Sequence, residues 1–261
     1  MQNGHAAKRF KISDLPKSNV FTQKLPTDEE FPSPKSSHSA ERSQLGPRLV
    51  KHAAFTYVRP DPFPRNELLS VSRAALRDLA ITPEDAQSKE FAQVVSGERI
   101  ATVDGEVKDD DIYPWAQCYG GYQFGSWAGQ LGDGRAISCA GKTPYSRFAD
   151  GRAVLRSSIR EYVVSEALNA LGIPTTRALC LTLAPESKVR RERMEPGAVV
   201  ARFAQTWLRF GTFDLARSRG DRDLVRKLAN YAAEEIFGGW ENLPAKTASD
   251  EGTIASTSIV A

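Results

Sequence analysis

Three groups of residues have the side chains and the spacing to contact a phosphate. The first is the turn Gly132-Asp133-Gly134-Arg135, in which glycine lets backbone amides approach an anion and Arg135 adds positive charge. Asp-Gly is also a common hairpin turn, so the same residues predict a purely structural loop as well. The local sequence leaves both interpretations open.

The second group surrounds the strongest predicted helix. Asp150 and Gly151 form a turn that leads into the helix, and Glu161 follows within it. Glu161 lies near the apolar face of the helix. Its carboxylate is therefore expected either to pair with a Lys or Arg from another element or to remain an exposed surface charge.

The third group is a pair of arginines, Arg202 and Arg209. Arg202 interrupts an otherwise apolar predicted strand, where a buried guanidinium group needs an anionic partner. Two guanidinium groups suit bidentate contacts with phosphate. A single arginine in a strand also suits an ordinary salt bridge, so this alternative stays open.

Residues 136–143 (AISCAGKT) match a relaxed P-loop pattern, with Lys142 and Thr143 in the last two positions. A P-loop follows a buried apolar strand and opens a helix at its lysine. Here the preceding residues are QLGDGR and Pro144 follows the motif, so the context disagrees on both sides. The sequence disfavours a P-loop NTPase.

The residue inventory excludes several other chemistries. The three histidines all lie in the first 52 residues, which excludes a Ser-His-Asp triad, a Cys-His pair or a His-ligated metal in the later body. The three cysteines form no CxxC pair, so neither a disulfide framework nor a zinc site is expected. The formal charge of +3, with acids and bases interleaved, gives no nucleic-acid signature. No apolar run reaches the ~20 residues of a membrane span.

The elements that must position these residues predict an α+β fold. Residues 1–50 predict an extended or disordered arm, and residues 67–80 predict a helix. A further helix is predicted to start at Thr82, and the glycine-rich residues 113–135 predict tight turns between short strands. The strongest helix, 154–171, ends at Gly172. Its predicted apolar face consists of Leu155, Ile159, Tyr162, Val163, Ala167 and Leu171.

The second half of the chain continues this pattern. Residues 178–184 and 198–204 predict two adjacent antiparallel strands, separated by a charged loop. Residues 221–237 predict a last amphipathic helix. The tail 246–261 is small and polar, and it is expected to be disordered.

Several segments resemble the selenoprotein O family, which includes bacterial YdiU-like proteins. The most specific is TPYSRFADGRAVLRSSIREY, and others are QFGSWAGQLGDGRAIS and RFAQTWLRFGTFDL. The resemblance runs over 15–245. It implies a protein-kinase-like small lobe of antiparallel sheet and helices, preceded by an extended arm and followed by the start of a large lobe.

The resemblance also implies an activity and a set of binding residues. Family members transfer AMP from ATP to Ser, Thr or Tyr hydroxyls of proteins, assisted by Mg²⁺. A glycine loop, a turn and two arginines are implied to bind the nucleotide: Gly132, Gly134, Arg135, Asp150, Gly151, Arg202 and Arg209. Glu161 is implied to be the helix glutamate that pairs with the lysine of the ATP site.

Two departures from the family pattern limit this expectation. The strand that supplies the phosphate-binding lysine is missing after GDGRAIS, and Ser138 stands in the place of that lysine. Lys142 lies in the following turn. The loss exposes a sheet edge unless AGKTPYS repairs it. The catalytic and metal-binding residues of the family lie in its C-terminal half, so no catalytic or metal-binding residue is expected in this chain.

These features together predict a selenoprotein O-like protein adenylyltransferase that is inactive as this chain alone. The alternative is a non-catalytic fragment that binds a nucleotide or a partner. The predicted domains are an arm at 1–50, a kinase-like portion at 51–245 and a tail at 246–261. The resemblance implies a mitochondrial location, with a cytoplasmic one as the alternative.

Overall fold

A computed structural model describes residues 8–61, 65–100, 103, 105–133, 142–146 and 150–243. In chain order, its helices and strands are α1 (Val20–Lys24), α2 (Pro34–Ser39), β1 (Phe55–Tyr57), β2 (Glu67–Val71), α3 (Arg73–Asp78), α4 (Lys89–Ser96), β3 (Trp115–Gln117), β4 (Gly120–Gln123), β5 (Ser126–Gln130), β6 (Ala153–Val154), α5 (Leu155–Ala170), β7 (Arg177–Arg190), β8 (Met194–Phe203), α6 (Phe210–Ser218) and α7 (Arg222–Tyr231). The fold is mixed α+β with antiparallel sheets.

Four strands form the central sheet, in the order β2-β7-β8-β6. The predicted hairpin is confirmed, and it is longer than expected because β7 continues to Arg190. In its register Ala178 pairs with Arg202. Helix α5 lies against β7 and β8, and α3 and α4 also contact β7. With elements against it on more than one side, β7 is buried continuously from its first residue to Thr182.

The described part of the N-terminal segment runs over the body of the protein between short helices. Its residues Leu25, Phe31 and Val50 are buried. The ring of Phe21 in α1 stacks on Trp115 with the ring centroids 4.3 Å apart. The domain boundary at residue 50 stays a prediction. The predicted tail lies outside the described residues.

The last two helices pack on the small sheet of β1 and β3. Phe55 of β1 and Leu228 of α7 belong to one buried cluster. Asp221 caps α7 by accepting a hydrogen bond from the Leu224 amide at 3.0 Å, so the predicted last helix is confirmed. Helix α6 was not predicted, because its nine residues show no clear apolar period.

The predicted helix over 67–80 is wrong in its first half. Residues 67–71 form strand β2, which pairs with β7 and places Val71 opposite Cys180. Pairing with the available edge of β7 outweighs the helical spacing of the leucines. Helix α3 begins only after Ser72, whose hydroxyl accepts a hydrogen bond from the Ala75 amide.

The helix start predicted at Thr82 is displaced. Residues Asp85–Gln87 form a single 3-10 turn, and α4 begins at Lys89 after Ser88. The Thr82 amide instead donates to the carbonyl of Phe10, which ties the N-terminal segment to this loop. The short strands and turns predicted for 113–135 are confirmed by β3, β4 and β5.

Helix α5 has the predicted bounds, but its apolar face is turned outward. The side chains buried against the sheet include Ser158 and Ser165, whereas Ile159, Val163 and Leu171 are exposed. Polar contacts hold the inward side, and among them Tyr162 bonds to Ser70 of β2 through their hydroxyl groups. The prediction of a buried Ile159/Val163 face was therefore wrong, because hydrogen bonds and ion pairs position this helix.

Candidate functional site

Arg209 is held in a fixed orientation just before α6. Its guanidinium group donates to the Asp133 carboxylate at 3.1 Å, to the Gln117 side-chain oxygen and to the Trp207 carbonyl at 3.1 Å. The guanidinium carbon also lies 4.3 Å from the centroid of the Tyr119 ring. An arginine with this many partners loses little further conformational freedom when it binds an anion.

Asp133 anchors the turn that carries Gly132. Its amide donates to the Gln117 carbonyl at 2.9 Å, and its side chain accepts from the Gln117 amide at 3.0 Å. The Thr143 hydroxyl donates to the Asp133 carbonyl at 2.7 Å. Burial raises the pKa of the Asp133 carboxyl, and the bonds from Arg209 and Gln117 offset only part of that rise. The ionised form of the Asp133 carboxyl group is therefore disfavoured when Arg209 is absent.

Gly132 has a steric reason to be glycine. Its φ is +119°, and a Cβ atom there would lie 2.5 Å from the Tyr145 ring and 2.7 Å from the Gln117 carbonyl. Gly134 and Arg135 lie outside the described residues, so their part in the predicted loop stays a prediction. Residues 136–141 of the P-loop-like run lie outside them too.

The described end of the P-loop-like run does not open a helix. Thr143, Pro144 and Tyr145 lie in a tight turn, in which the Ser146 amide donates to the Thr143 carbonyl. The Thr143 hydroxyl is already used by Asp133 and by the Tyr145 amide. A P-loop would need that hydroxyl for a metal ion, so this geometry disfavours a P-loop NTPase.

Glu161 and Arg202 form an ion pair. Arg202 on β8 donates to Glu161 on α5 at 2.9 Å, to the Ser165 hydroxyl at 3.1 Å and to the Thr176 hydroxyl. Among the described residues, the partner of Glu161 is thus an arginine rather than a lysine. The Nε atom of Arg202 is buried and has no hydrogen-bond partner among the residues that the structure describes.

Asp150 and Gly151 lie in the turn before β6, beside the β7–β8 hairpin. The Asp150 carboxylate accepts from the Arg152 amide at 3.0 Å and pairs with Arg191 at 3.2 Å. Burial alone would raise the pKa of Asp150, but the bonds from Arg191 and from the Arg152 amide outweigh it and leave that pKa below its ordinary value. Gly151 adopts a positive φ of 71°, as a turn glycine does.

The structure brings predicted residues together in two places. The Gly132 turn joins Arg209 through Asp133, and Glu161 joins Arg202. Within the described ranges, no hydrogen bond or ion pair links Asp150 to either arginine. Arg202 and Arg209 nevertheless flank one short connection, from the end of β8 to the start of α6.

Sequence reasoning missed the residues that orient Arg209. Gln117 and Asp133 are 92 and 76 residues away from it in sequence, so no local pattern joins them. The one available signal was Asp133 itself, a carboxylate between two glycines. In the part of the chain that the structure describes, no three His, Cys, Asp or Glu side chains form a metal-ligand cluster, and no helix is long and apolar enough to cross a membrane.

Comparison with known proteins identifies relatives over most of the chain. The family model described as "Protein adenylyltransferase SelO" matches residues 42–140 and 137–250. A mitochondrial protein adenylyltransferase SelO of Schizosaccharomyces pombe is 44% identical over 247 residues, covering 87% of this chain and 42% of the relative. A protein nucleotidyltransferase YdiU of Azoarcus sp. is 41% identical over 248 residues, covering 85% and 44%. The chain therefore spans less than half the length of these relatives.

Proposed function

Because the chain belongs to the protein adenylyltransferase SelO family, we propose that it forms the nucleotide-binding small lobe of a protein-kinase-like adenylyltransferase. The central sheet and α5 would be the sheet and the helix of that lobe. In the proposed reaction a Ser, Thr or Tyr hydroxyl group of a protein loses its proton to a base, its oxygen bonds to the α-phosphorus of ATP, and pyrophosphate leaves. Negative charge on the phosphates must be neutralised throughout.

The observation that carries the proposal is the environment of Arg209. Its guanidinium group is oriented by Asp133, Gln117 and Tyr119 and stands at the first residue before α6, where the positive end of a helix favours an anion. Gly132 lets the backbone of its own turn lie close to Gln117, which is one of the residues that orient Arg209. Gly134 and Arg135, which lie outside the described residues, are proposed to bind the nucleotide as well.

Arg202 would supply a second positive charge. Its pairing with Glu161 supports a role for that carboxylate in orienting the guanidinium group, as a partner residue does in many anion sites. Asp150 and Gly151 would contact the nucleotide from the turn before β6, although the Asp150 carboxylate is paired with Arg191 in this structure. ATP is the proposed substrate.

Mg²⁺ would enter as part of the ATP complex, because it is usually bound through the phosphates of its substrate. The two stretches of the family match overlap at 137–140, and the resemblance implies a segment with the phosphate-binding lysine that the sequence lacks there. We therefore expect no AMP transfer by this chain alone. Proteins with accessible Ser, Thr or Tyr hydroxyl groups are the proposed substrates of the complete adenylyltransferase.

The test is ATP binding by isothermal titration calorimetry, with and without Mg²⁺. The variants are Arg202→Ala/Arg209→Ala and, as a matched control, Arg226→Ala, whose side chain is 74% exposed in a weak pair with Asp223. Wild type and the control should bind ATP, and the double variant should not. Binding by none of the three would contradict the proposal.

Radiolabelled ATP tests the catalytic part separately. With label on the α-phosphate, we expect no transfer to the chain itself or to added protein. Transfer that disappears in the Arg209→Ala variant would show that this chain is a complete enzyme.

A second candidate is a fragment that binds a partner and no nucleotide. The exposed apolar side chains of α5, Ile159, Val163 and Leu171, favour it, since such a face normally packs on protein. A broad, low-temperature unfolding transition together with absent ATP binding would support this alternative. A cooperative transition with ATP binding would exclude it.

The compartment is proposed as mitochondrial. The fungal relatives from Schizosaccharomyces pombe and Saccharomyces cerevisiae, 44% and 42% identical, carry that location in their names. The cytoplasm is the alternative. Import into isolated mitochondria with protection from external protease would distinguish the two.

A further inference from the structure

Glu166 of α5 and Arg177 at the start of β7 form the most extensively bonded ion pair near the candidate site. Arg177 donates from Nε to one carboxylate oxygen at 2.9 Å and from Nη2 to the other at 2.9 Å. The Ala178 amide adds a third donor at 3.0 Å. Two parallel bonds between a planar guanidinium group and a carboxylate fix both the distance and the angle between the two elements.

The same pair also reaches α3. The Ser72 hydroxyl, which caps α3, donates to Glu166 at 2.5 Å, and Arg177 donates to Asp78 at the end of that helix. The Arg177 guanidinium carbon lies 5.5 Å from the centroid of the Phe203 ring. Helix α5 is thus tied to a strand and to a second helix at one point.

The pair is ionised at neutral pH. Burial alone would raise the pKa of Glu166, but the bonds from Arg177, Ser72 and the Ala178 amide lower it to about 2. Arg177 is only 10% exposed and Glu166 only 18%. Among the described residues, the α5 side chains that are fully buried are Ser158 and Ser165, so polar contacts such as this pair carry much of the orientation of the helix.

The pair lies next to Arg202 in the sheet. Ala178 pairs with Arg202 in the β7–β8 register, and Arg177 pairs with Phe203. On α5, Ser165 directly precedes Glu166, and both Ser165 and Glu161 contact Arg202. A rotation of α5 about its axis would therefore carry these two partners away from the guanidinium group.

We propose that Glu166 and Arg177 are a positioning pair that sets the rotation of α5 and thereby holds Arg202 in its phosphate-binding orientation. This inference rests on the proposed function. Neither residue contacts the nucleotide: the pair acts through Glu161 and Ser165.

The test compares Glu166→Gln with Glu195→Gln. Glu195 is a matched control because it is a buried carboxylate that also ties α5 to the sheet, through Arg156 at 2.7 Å. By calorimetry, Glu166→Gln should weaken ATP binding roughly 2- to 30-fold, the usual range for residues that act through others. Glu195→Gln should leave the affinity unchanged.

A second readout does not depend on ATP. Hydrogen exchange should be roughly 10-fold faster at the amides of 161–165 in Glu166→Gln, and unchanged there in Glu195→Gln. If wild type binds no ATP, the proposed function fails, and this exchange result alone decides whether the pair positions α5. Unchanged exchange in Glu166→Gln would overturn the inference.

Two other results would also overturn it. One is an equal loss of affinity in both variants, which would reflect general destabilisation. The other is a folded Glu166→Gln protein that binds ATP as wild type does. If Glu166→Gln does not fold, Arg177→Lys replaces it, because it keeps the charge and removes the bidentate geometry. That variant should then show the weaker binding and the faster exchange, and wild-type behaviour would refute the proposal.

Discussion

Removing the Arg209 side chain should destabilise the protein more at pH 7 than at pH 4. Asp133 is 11% exposed and Arg209 is 35% exposed, so Arg209→Ala leaves a largely buried carboxylate without its cation. Breaking a fully buried pair costs ~3–5 kcal/mol, and exposed pairs contribute ~0–1 kcal/mol. For this intermediate case we expect a loss of about 2 kcal/mol in the free energy of unfolding at pH 7.

The pH dependence follows from the raised pKa of Asp133. A carboxyl group whose pKa is raised in the folded state favours folding most below its ordinary value of 3.8, and this contribution is lost as the pH rises through the folded-state pKa. Without Arg209 that pKa rises further. Near pH 4 the variant should therefore lose only its hydrogen bonds, about 1 kcal/mol, because Asp133 can stay neutral.

Urea unfolding of wild type and variant at both pH values measures these losses. Asp133→Asn in the Arg209→Ala background should recover about 1 kcal/mol at pH 7, because it removes the unpaired charge. Arg226→Ala should change stability by less than about 0.5 kcal/mol. Equal losses at both pH values, or no recovery by Asp133→Asn, would refute the reasoning.

Three further outcomes are expected. Gly132→Ala should cost more than about 2 kcal/mol in urea unfolding, because its Cβ would lie 2.5 Å from the Tyr145 ring. Gly105→Ala, with φ +86° and nothing within 4 Å, should cost only about 1 kcal/mol, and equal costs would contradict the steric argument. Glu161→Gln should change stability by less than about 1 kcal/mol yet weaken ATP binding in calorimetry, and unchanged binding would remove its orienting role. Burial raises the pKa of Cys118 to about 11, so iodoacetamide at pH 8 should label it only in urea, and rapid labelling of the folded protein by mass spectrometry would contradict its burial.

Helices and strands were predicted well where nearby residues alone determine the structure. Gly172, with its positive φ of 77°, ends α5 where it was expected, and the apolar strands β7 and β8 pair as expected. Strand β2 could not be read locally, because its leucines suit a helix as well as the edge of β7. The inward side of α5 was also hidden, since serines such as Ser165 carry no apolar pattern.

Candidate site residues could be proposed from the sequence, but their partners could not. The Gly132 turn, Glu161 and the two arginines drew attention by residue type, and only the family resemblance implied their roles. That Glu161 would meet Arg202, and that Gln117 would orient Arg209, depends on pairing between strands and helices distant in sequence. Three-dimensional packing decides these contacts, and one sequence does not encode them in any short pattern.

The outward apolar face of α5 has a consequence for how the protein opens. Separating α5 from the sheet would uncover polar groups, including Ser158 and Glu166, whereas Ile159, Val163 and Leu171 are already exposed. The dependence of an opening on denaturant scales with the surface that it exposes. This helix should therefore detach in small fluctuations that urea barely promotes, while unfolding of the sheet, with buried Leu179 and Cys180, responds steeply. Salt, which screens the more exposed Glu161–Arg202 and Arg156–Glu195 pairs and affects the largely buried Glu166–Arg177 pair much less, should promote its detachment more effectively than urea does.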